Sequence, residues 1–314
     1  MFRNASGFGG LENTPLARPY YYRNFIDRGW EKDFIQEIAN TSILEPLTGC
    51  NQSIQFMKQP MPTPWRRYDN NQLLVPETIV PEGMCVALCH RAYKAYKFDK
   101  VQIRHLCERF DAFESSLLDA TYQVLAKEWR CQLLTGMAYE SSKQNKGANA
   151  GADCNINLGT RAAPLQITGA NIADSIARLR VVLEQSNQWI EGQMFIVLPS
   201  VARLAISNSP YASALEMGSC VDCSTLVTGK LPGQMHGFNV YMTDRLWSEF
   251  DNGRLTYAVV AGNRNAYAFI GDIVEGEIEN LQLTFGIVYK MLAEWGGAAI
   301  QPEALAVAHM SFSV

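Results

Sequence analysis

KAYKFDKV at residues 94–101, followed by FDAFESSLLDATYQVLAKEWRCQLLTGMA at residues 110–138, is the stretch whose reading decides the fold. In its second half Leu118, Tyr122, Leu125, Trp129 and Leu133 recur in steps of four, three, four and four, the stripe of a helix lying along a core. No proline or glycine interrupts it before Gly136, so it predicts a helix of about 40 Å at 1.5 Å per residue. Upstream, Val86, Leu88, Tyr93, Tyr96 and Phe98 in the span Met84 to Lys100 form a partly alternating, aromatic-containing strand pattern.

Working outward toward the N-terminus, residues 45–83 include the alternating Ile54-Gln55-Phe56. They then pass Pro60, Pro62, Pro64 and Pro76 around Trp65-Arg66-Arg67-Tyr68. This reads as a long projecting hairpin. A stretch of ~35 residues that is neither helical nor compactly apolar is generally functional or interacting. Its aromatic and arginine residues are types enriched as interface anchors, so Trp65, Arg66, Arg67 and Tyr68 are candidate subunit contacts. Stacking on single-stranded nucleic acid is the weaker reading, because no basic stripe accompanies them. Residues 1–29, rich in Gly, Asn, Arg and Pro, have no apolar period and suggest an extended arm that gains order on another surface. Trp30, Phe34, Ile35 and Ile38 then predict a short amphipathic helix ending near Asn40, which anchors the arm, with Trp30 a further contact candidate.

Toward the C-terminus, residues 141–163 turn to Ser, Asn, Gly, Lys and Ala, the composition of a flexible connection and a domain boundary. Asn171 is placed to cap a second helix, with Asp174 three residues on and Ile172, Ile176, Leu179 and Leu183 on its buried face. Met194 to Pro199 reads as a short buried strand and Ser200 to Ser207 as the start of another helix. Strand patterns follow at Phe238 to Met242, Thr256 to Val260, Ala266 to Ile270, Leu281 to Met291 and Ala304 to Ala308.

At 314 residues the chain can bury roughly three quarters of its unfolded surface without metal or disulfide staples. Charged residues make up 18%, below the soluble average of about 25%, which favours a subunit that covers its faces with neighbours. A net charge of −4 provides no field for gripping a polyanion, yet permits a container around one. The eight cysteines are scattered through a chain too large to be a disulfide scaffold and read as reduced thiols. No segment approaches the apolar length of a membrane span.

Chemistry is sparse. Cys85-x3-Cys89 with His90, and Cys220-x2-Cys223, could hold zinc, but packed thiols are the favoured reading. His90, His105, His236 and His309 lie in no recognisable catalytic motif. Thr228-Gly229-Lys230 lacks the following Ser or Thr and the earlier glycine of a phosphate loop. Asp272, Glu275, Glu277 and Glu279 could bind a hard cation, although alternation of the last three reads better as a solvated or subunit-facing strand edge. No catalytic, cofactor or metal site is expected.

The order of these elements resembles the major capsid proteins of tailed bacteriophages over nearly the whole chain. Lys94 to Val101 leading into the long helix is similar to that family's return from its extended loop into its spine helix. Asn171 to Leu179 with Met194 to Pro199 and Val201 to Leu204 resembles its helix, strand and helix. Leu231 to Asp244 looks like its glycine turn and following strand, and Ala258 to Phe269 with Phe285 to Leu305 like its closing strands. The resemblance implies an α+β fold, with an N-terminal arm (1–44), an extended loop (45–83) and a peripheral domain carrying the spine helix (84–160). It further implies an axial domain (161–254) and returning strands shared by the two domains (255–314).

It also implies function through contacts. The chain is expected to assemble with itself as hexamers and pentamers in an icosahedral head shell, with portal, scaffolding or decoration proteins as further partners. Packaged double-stranded DNA would be touched non-specifically, and no membrane is involved. The expected location is the virion capsid, assembled in a bacterial host cytoplasm. With no long N-terminal pro-region, a separate scaffolding protein or unaided assembly is expected. Some family members crosslink a loop lysine to a neighbour's asparagine. Lys58 lies in the loop here, but no partner or assisting acid matches, and no such chemistry is claimed. An encapsulin-like nanocompartment subunit and a cysteine- or zinc-dependent enzyme are the alternatives.

Overall fold

The computed structural model describes residues 33–42, 53–57, 67, 76, 83–101, 110–209, 233–251, 253–281 and 285–312. Among the described residues the α-helices are α1 (Ile35–Ile38), α2 (Phe110–Glu140), α3 (Ile172–Gln185) and α4 (Ala202–Ser207). The strands are β1 (Ser53–Met57), β2 (Gly83–Ala87), β3 (His90–Asp99), β4 (Leu165–Ile167), β5 (Met194–Leu198) and β6 (Gln234–Met235). They continue as β7 (Phe238–Met242), β8 (Ser248–Asp251), β9 (Arg254–Asn263), β10 (Tyr267–Asn280), β11 (Gly286–Ala299) and β12 (Leu305–Phe312). The chain divides into a larger unit (Phe34–Leu88, Leu133–Ile270, Gly296–Val314) and a smaller one (Met1–Asp33, Cys89–Gln132, Gly271–Trp295).

The larger unit is built on a seven-stranded mixed sheet in the order β4-β12-β9-β5-β7-β6, with β8 also pairing β9. All five residues of β5 are buried, as its uninterrupted apolar run predicts for a central strand. Met194, Ile196 and Leu198 join Ile172, Ile176, Leu179 and Leu183 of α3 in one core cluster, while Phe195 and Val197 are buried as well. Each such side chain contributes on the order of 1.5–3 kcal/mol of transfer free energy.

Two details depart from expectation. Asn171 does not cap α3 with its side chain. Its Oδ1 accepts from Thr168 N at 2.7 Å and its Nδ2 donates to Gln166 O at 2.7 Å, closing the turn before the helix instead. Residues 141–163 are not a loose connection but part of the packed unit, with Asn145, Ala150 and Leu158 fully or almost fully buried. Asn145 Nδ2 donates to the carbonyls of Glu303 (2.5 Å) and Leu305 (3.0 Å), and its Oδ1 accepts from Ser186 Oγ at 3.0 Å. One satisfied amide therefore ties this polar segment to β12 and to the end of α3, which composition cannot reveal.

The smaller unit carries a three-stranded sheet, β10-β11-β3, and α2 up to Gln132. The long helix forms as predicted and runs 31 residues, about 46 Å at 1.5 Å per residue. Within this unit Tyr96 Oη and Thr121 Oγ1 lie 2.7 Å apart, and Trp295 Nε1 donates to Gln132 Oε1 at 2.5 Å. Trp129 and Trp295 pack at 6.4 Å between centroids. The stripe is less buried than its spacing suggests: Leu133 is covered, but Tyr122 remains 49% exposed. Arg130, between the stripe residues, is fully buried, with the Asp33 carboxylate 4.0 Å away.

Candidate subunit interface

In the larger unit α1 and the β1–β2 stem both pack at the start of β10. In α1, Phe34, Ile35 and Ile38 are buried, as the apolar spacing predicts. Phe34 stacks on Tyr241 at 5.2 Å, and Asn40 O accepts from Phe269 N at 3.1 Å. Burial, with a hydrogen bond to Glu37 behind it, pushes the Tyr241 phenol up to about 12, so it stays a neutral donor. The base of the arm is thereby held, while Trp30 lies outside the described residues.

The predicted hairpin begins and ends as one. Strands β1 and β2 pair antiparallel from Ser53↔Ala87 to Met57↔Gly83, bracketing residues 58–82. A two-stranded ribbon alone is marginal in water, so its foot must be fastened. Val86, 1% exposed, packs with Ala268 and Ile270, with Leu88, Ala298 and Ile300 around them. Gly296 lets the backbones touch, because a Cβ there would collide with Ala87 O and lie 2.9 Å from Ala87 C. Of the contact candidates inside the loop, Arg67 is exposed, while Trp65, Arg66 and Tyr68 lie outside the described residues. Sequence reading missed Val86 and Gly296 as the seat of the loop, although a Gly296-Gly297 pair inside a strand pattern is a known sign of close backbone approach.

In the smaller unit the sheet leaves large apolar side chains uncovered. Tyr93 on β3 is 81% exposed, Val274 and Ile278 on β10 are 54% and 60%, and Phe285 just before β11 is 81%. Each is a candidate for cover by a partner. Charges alternate among them: Arg91 pairs with Glu294 at 2.7 Å, Glu279 pairs with Lys290, and Lys94, Lys97 and Glu277 are exposed. The acidic run thus lies on an exposed strand.

The described histidines lie beside aromatic or charged neighbours. Arg161 grips Glu249 with two hydrogen bonds and lies over the Trp247 ring at 4.9 Å. That hydrogen-bonded guanidinium holds the Glu249 carboxyl below its usual range. His309 meets the Trp247 edge at 6.2 Å, and burial, reinforced by Lys146 and Arg161, pushes its imidazole down, so it is held neutral. His90 stacks on Trp295 at 5.8 Å, and His236 presents its carbonyl to Arg180. Cys85 and Cys89 are exposed and not the packed thiols expected, and Cys131 and Cys154 are exposed as well. In β2 the alternation that buries Val86 turns Cys85 outward. Cys220, Cys223, His105 and Thr228 to Lys230 lie outside the described residues. Among the described residues no three His, Cys, Asp or Glu side chains gather to hold a metal, and no helix is long and apolar enough to cross a membrane.

No family model and no curated protein sequence matches the chain. Solved structures do. One from Mycobacterium phage Che8 superposes with a TM-score of 0.69 at 13% identity, covering 94% of this chain and 96% of that one. The capsid of a native GTA particle matches at TM-score 0.64 and 14% identity, over 99% of this chain and 100% of the other. The capsid of Ralstonia phage GP4 matches at 0.59 and 11%, over 99% and 98%. At these identities the likeness establishes the fold alone, and the chain has the α+β fold of these structures.

Proposed function

We propose that this chain is a major capsid protein of a tailed phage, self-assembling into the icosahedral shell that encloses the genome. The observation that supports it most is the fold shared with phage and GTA capsids over nearly the full length of both chains. A fold does not by itself confer a function. Here, however, the chain's own surface agrees: a loop fastened at its foot, and a sheet carrying uncovered Tyr93, Val274, Ile278 and Phe285.

In this reading residues 1–44 are an arm and 45–83 a loop laid over adjacent subunits, with Trp30, Trp65, Arg66, Arg67 and Tyr68 as contacts. Residues 84–160 form the peripheral domain with the spine helix, 161–254 the axial domain, and 255–314 the strands shared by both. The work is done by contact and not by catalysis, and no cofactor is called for. Copies close into hexamers and pentamers, a portal protein and scaffolding or decoration proteins complete the head, and DNA is touched non-specifically inside. The near balance of 27 basic and 31 acidic residues suits a wall that contains DNA without gripping it. Assembly would take place in the bacterial host cytoplasm.

The test is negative-stain electron microscopy with light scattering on the purified chain over a range of concentrations and ionic strengths. Closed shells, or uniform five- and six-membered rings, are expected. A particle that stays monomeric or dimeric under every condition, even with a candidate scaffolding protein co-expressed, refutes the proposal.

A further inference from the structure

The three-stranded sheet of the smaller unit has opposite charges on its two edges. Its order is β10-β11-β3, so β10 and β3 are the edges. β3 carries Arg91, Lys94 and Lys97, with Lys100 following, whereas β10 carries Asp272, Glu275, Glu277 and Glu279. The middle strand answers one charge on each side, through Glu294 to Arg91 and Lys290 to Glu279. Lys94 and Lys97 on one edge and Glu277 on the other stay exposed. Apolar groups accompany both sets, Tyr93 on the basic edge and Val274 and Ile278 on the acidic edge.

With β11 between them the two edges are separated by two strand spacings, about 9–10 Å, and face away from each other. They cannot meet within one copy. Their complementarity is satisfied only when the β10 edge of one copy faces the β3 edge of another. Such a contact is heterologous, and repeated by rotation it closes a ring.

We propose that the β10 edge of each subunit docks against the β3 edge of the next around the capsomer, bringing the basic edge that carries Lys94 and Lys97 to the acidic edge that carries Glu277 and Glu279. This rests on the reading of the chain as a shell subunit. Lysines on an edge strand also serve simply to keep it solvated. That simpler role makes no demand on the charge of β10.

Two reversed variants of the full chain separate the cases. One is Lys94→Glu with Lys97→Glu. The other is Glu277→Lys with Glu279→Lys and Lys290→Glu, so that the ion pair within the chain survives. Each alone sets like charges against each other at every contact, and its yield of rings and shells is expected to fall more than about tenfold. Mixed one to one, each variant offers the edge the other lacks, and six-membered rings return. The neutral variant Lys94→Gln with Lys97→Gln gives lower yield and a flatter dependence on salt, and serves if a reversed variant fails to fold. Reversed or neutral variants that assemble like the parent chain overturn the edge contact and leave the shell reading standing, as does a mixture no better than its parts. A parent chain that forms neither rings nor shells overturns both.

Discussion

Gly296→Ala gives the sharpest test of how the loop is seated. The glycine needs no special backbone angle and is required only by proximity. A Cβ added there meets Ala87 O well inside any real contact, with Ala87 C at 2.9 Å and Leu88 Cα at 3.1 Å. Carbon contacts are comfortable at about 3.5–4.0 Å, so the foot of the hairpin must retreat by roughly 1 Å. Retreat loosens Val86, which is 1% exposed in its cluster with Ala268 and Ile270. Overpacking of this kind costs about 1–3 kcal/mol, and the loss falls on the stem of the loop. Ile176→Val in the α3 core is the control, at about 0.5–1.5 kcal/mol. Both variants should melt a few degrees low by circular dichroism. Only Gly296→Ala should also lose shell yield at temperatures well below its melting point, because its loop leaves in the wrong direction. Equal assembly by the two variants, or a melting temperature for Gly296→Ala unchanged from the parent, would refute this account of the loop seat.

Other outcomes follow from the same geometry. Val86→Ala removes the plug from the stem and should cost on the order of 2 kcal/mol, with faster proteolysis in residues 58–82 as the readout. The Glu140 carboxylate accepts from Ala299 N at 2.5 Å, yet burial holds its pKa above 4.5, so the folded chain keeps this proton longer than the unfolded one. Stability is therefore lost as pH rises from 4.5 through the folded value, and Glu140→Gln, which keeps the acceptor, should be more stable than the parent at pH 7 but not at pH 4 by urea titration. His309 has the opposite sign: its folded pKa lies below 6.5, so its contribution is present above 6.5 and is lost as pH falls toward the folded value. His309→Gln should flatten that part of the stability profile below pH 6.5, and an unchanged slope would show that His309 does not set it.

Much of the local structure was legible from the sequence because periodicity is a local property. The stripe through Leu118, Leu125, Trp129 and Leu133 specified the long helix, the run Met194 to Leu198 the central strand, and Phe34, Ile35 and Ile38 the foot of the arm. Their order carried the resemblance that the superpositions bear out as a fold. Tertiary structure decided whatever depends on which distant residues meet. Asn145 looked like part of a loose polar linker until Glu303, Leu305 and Ser186 were found around its amide. Cys85 looked like a core thiol until the pairing of β2 turned Val86 inward in its place. The acidic run of β10 and the lysines of β3 carry no joint meaning along the chain, where about 180 residues separate them. Only strand pairing, with β11 between them, turns them into opposite edges of one sheet, because charge and pattern are written residue by residue while an edge is defined by what stands beside it.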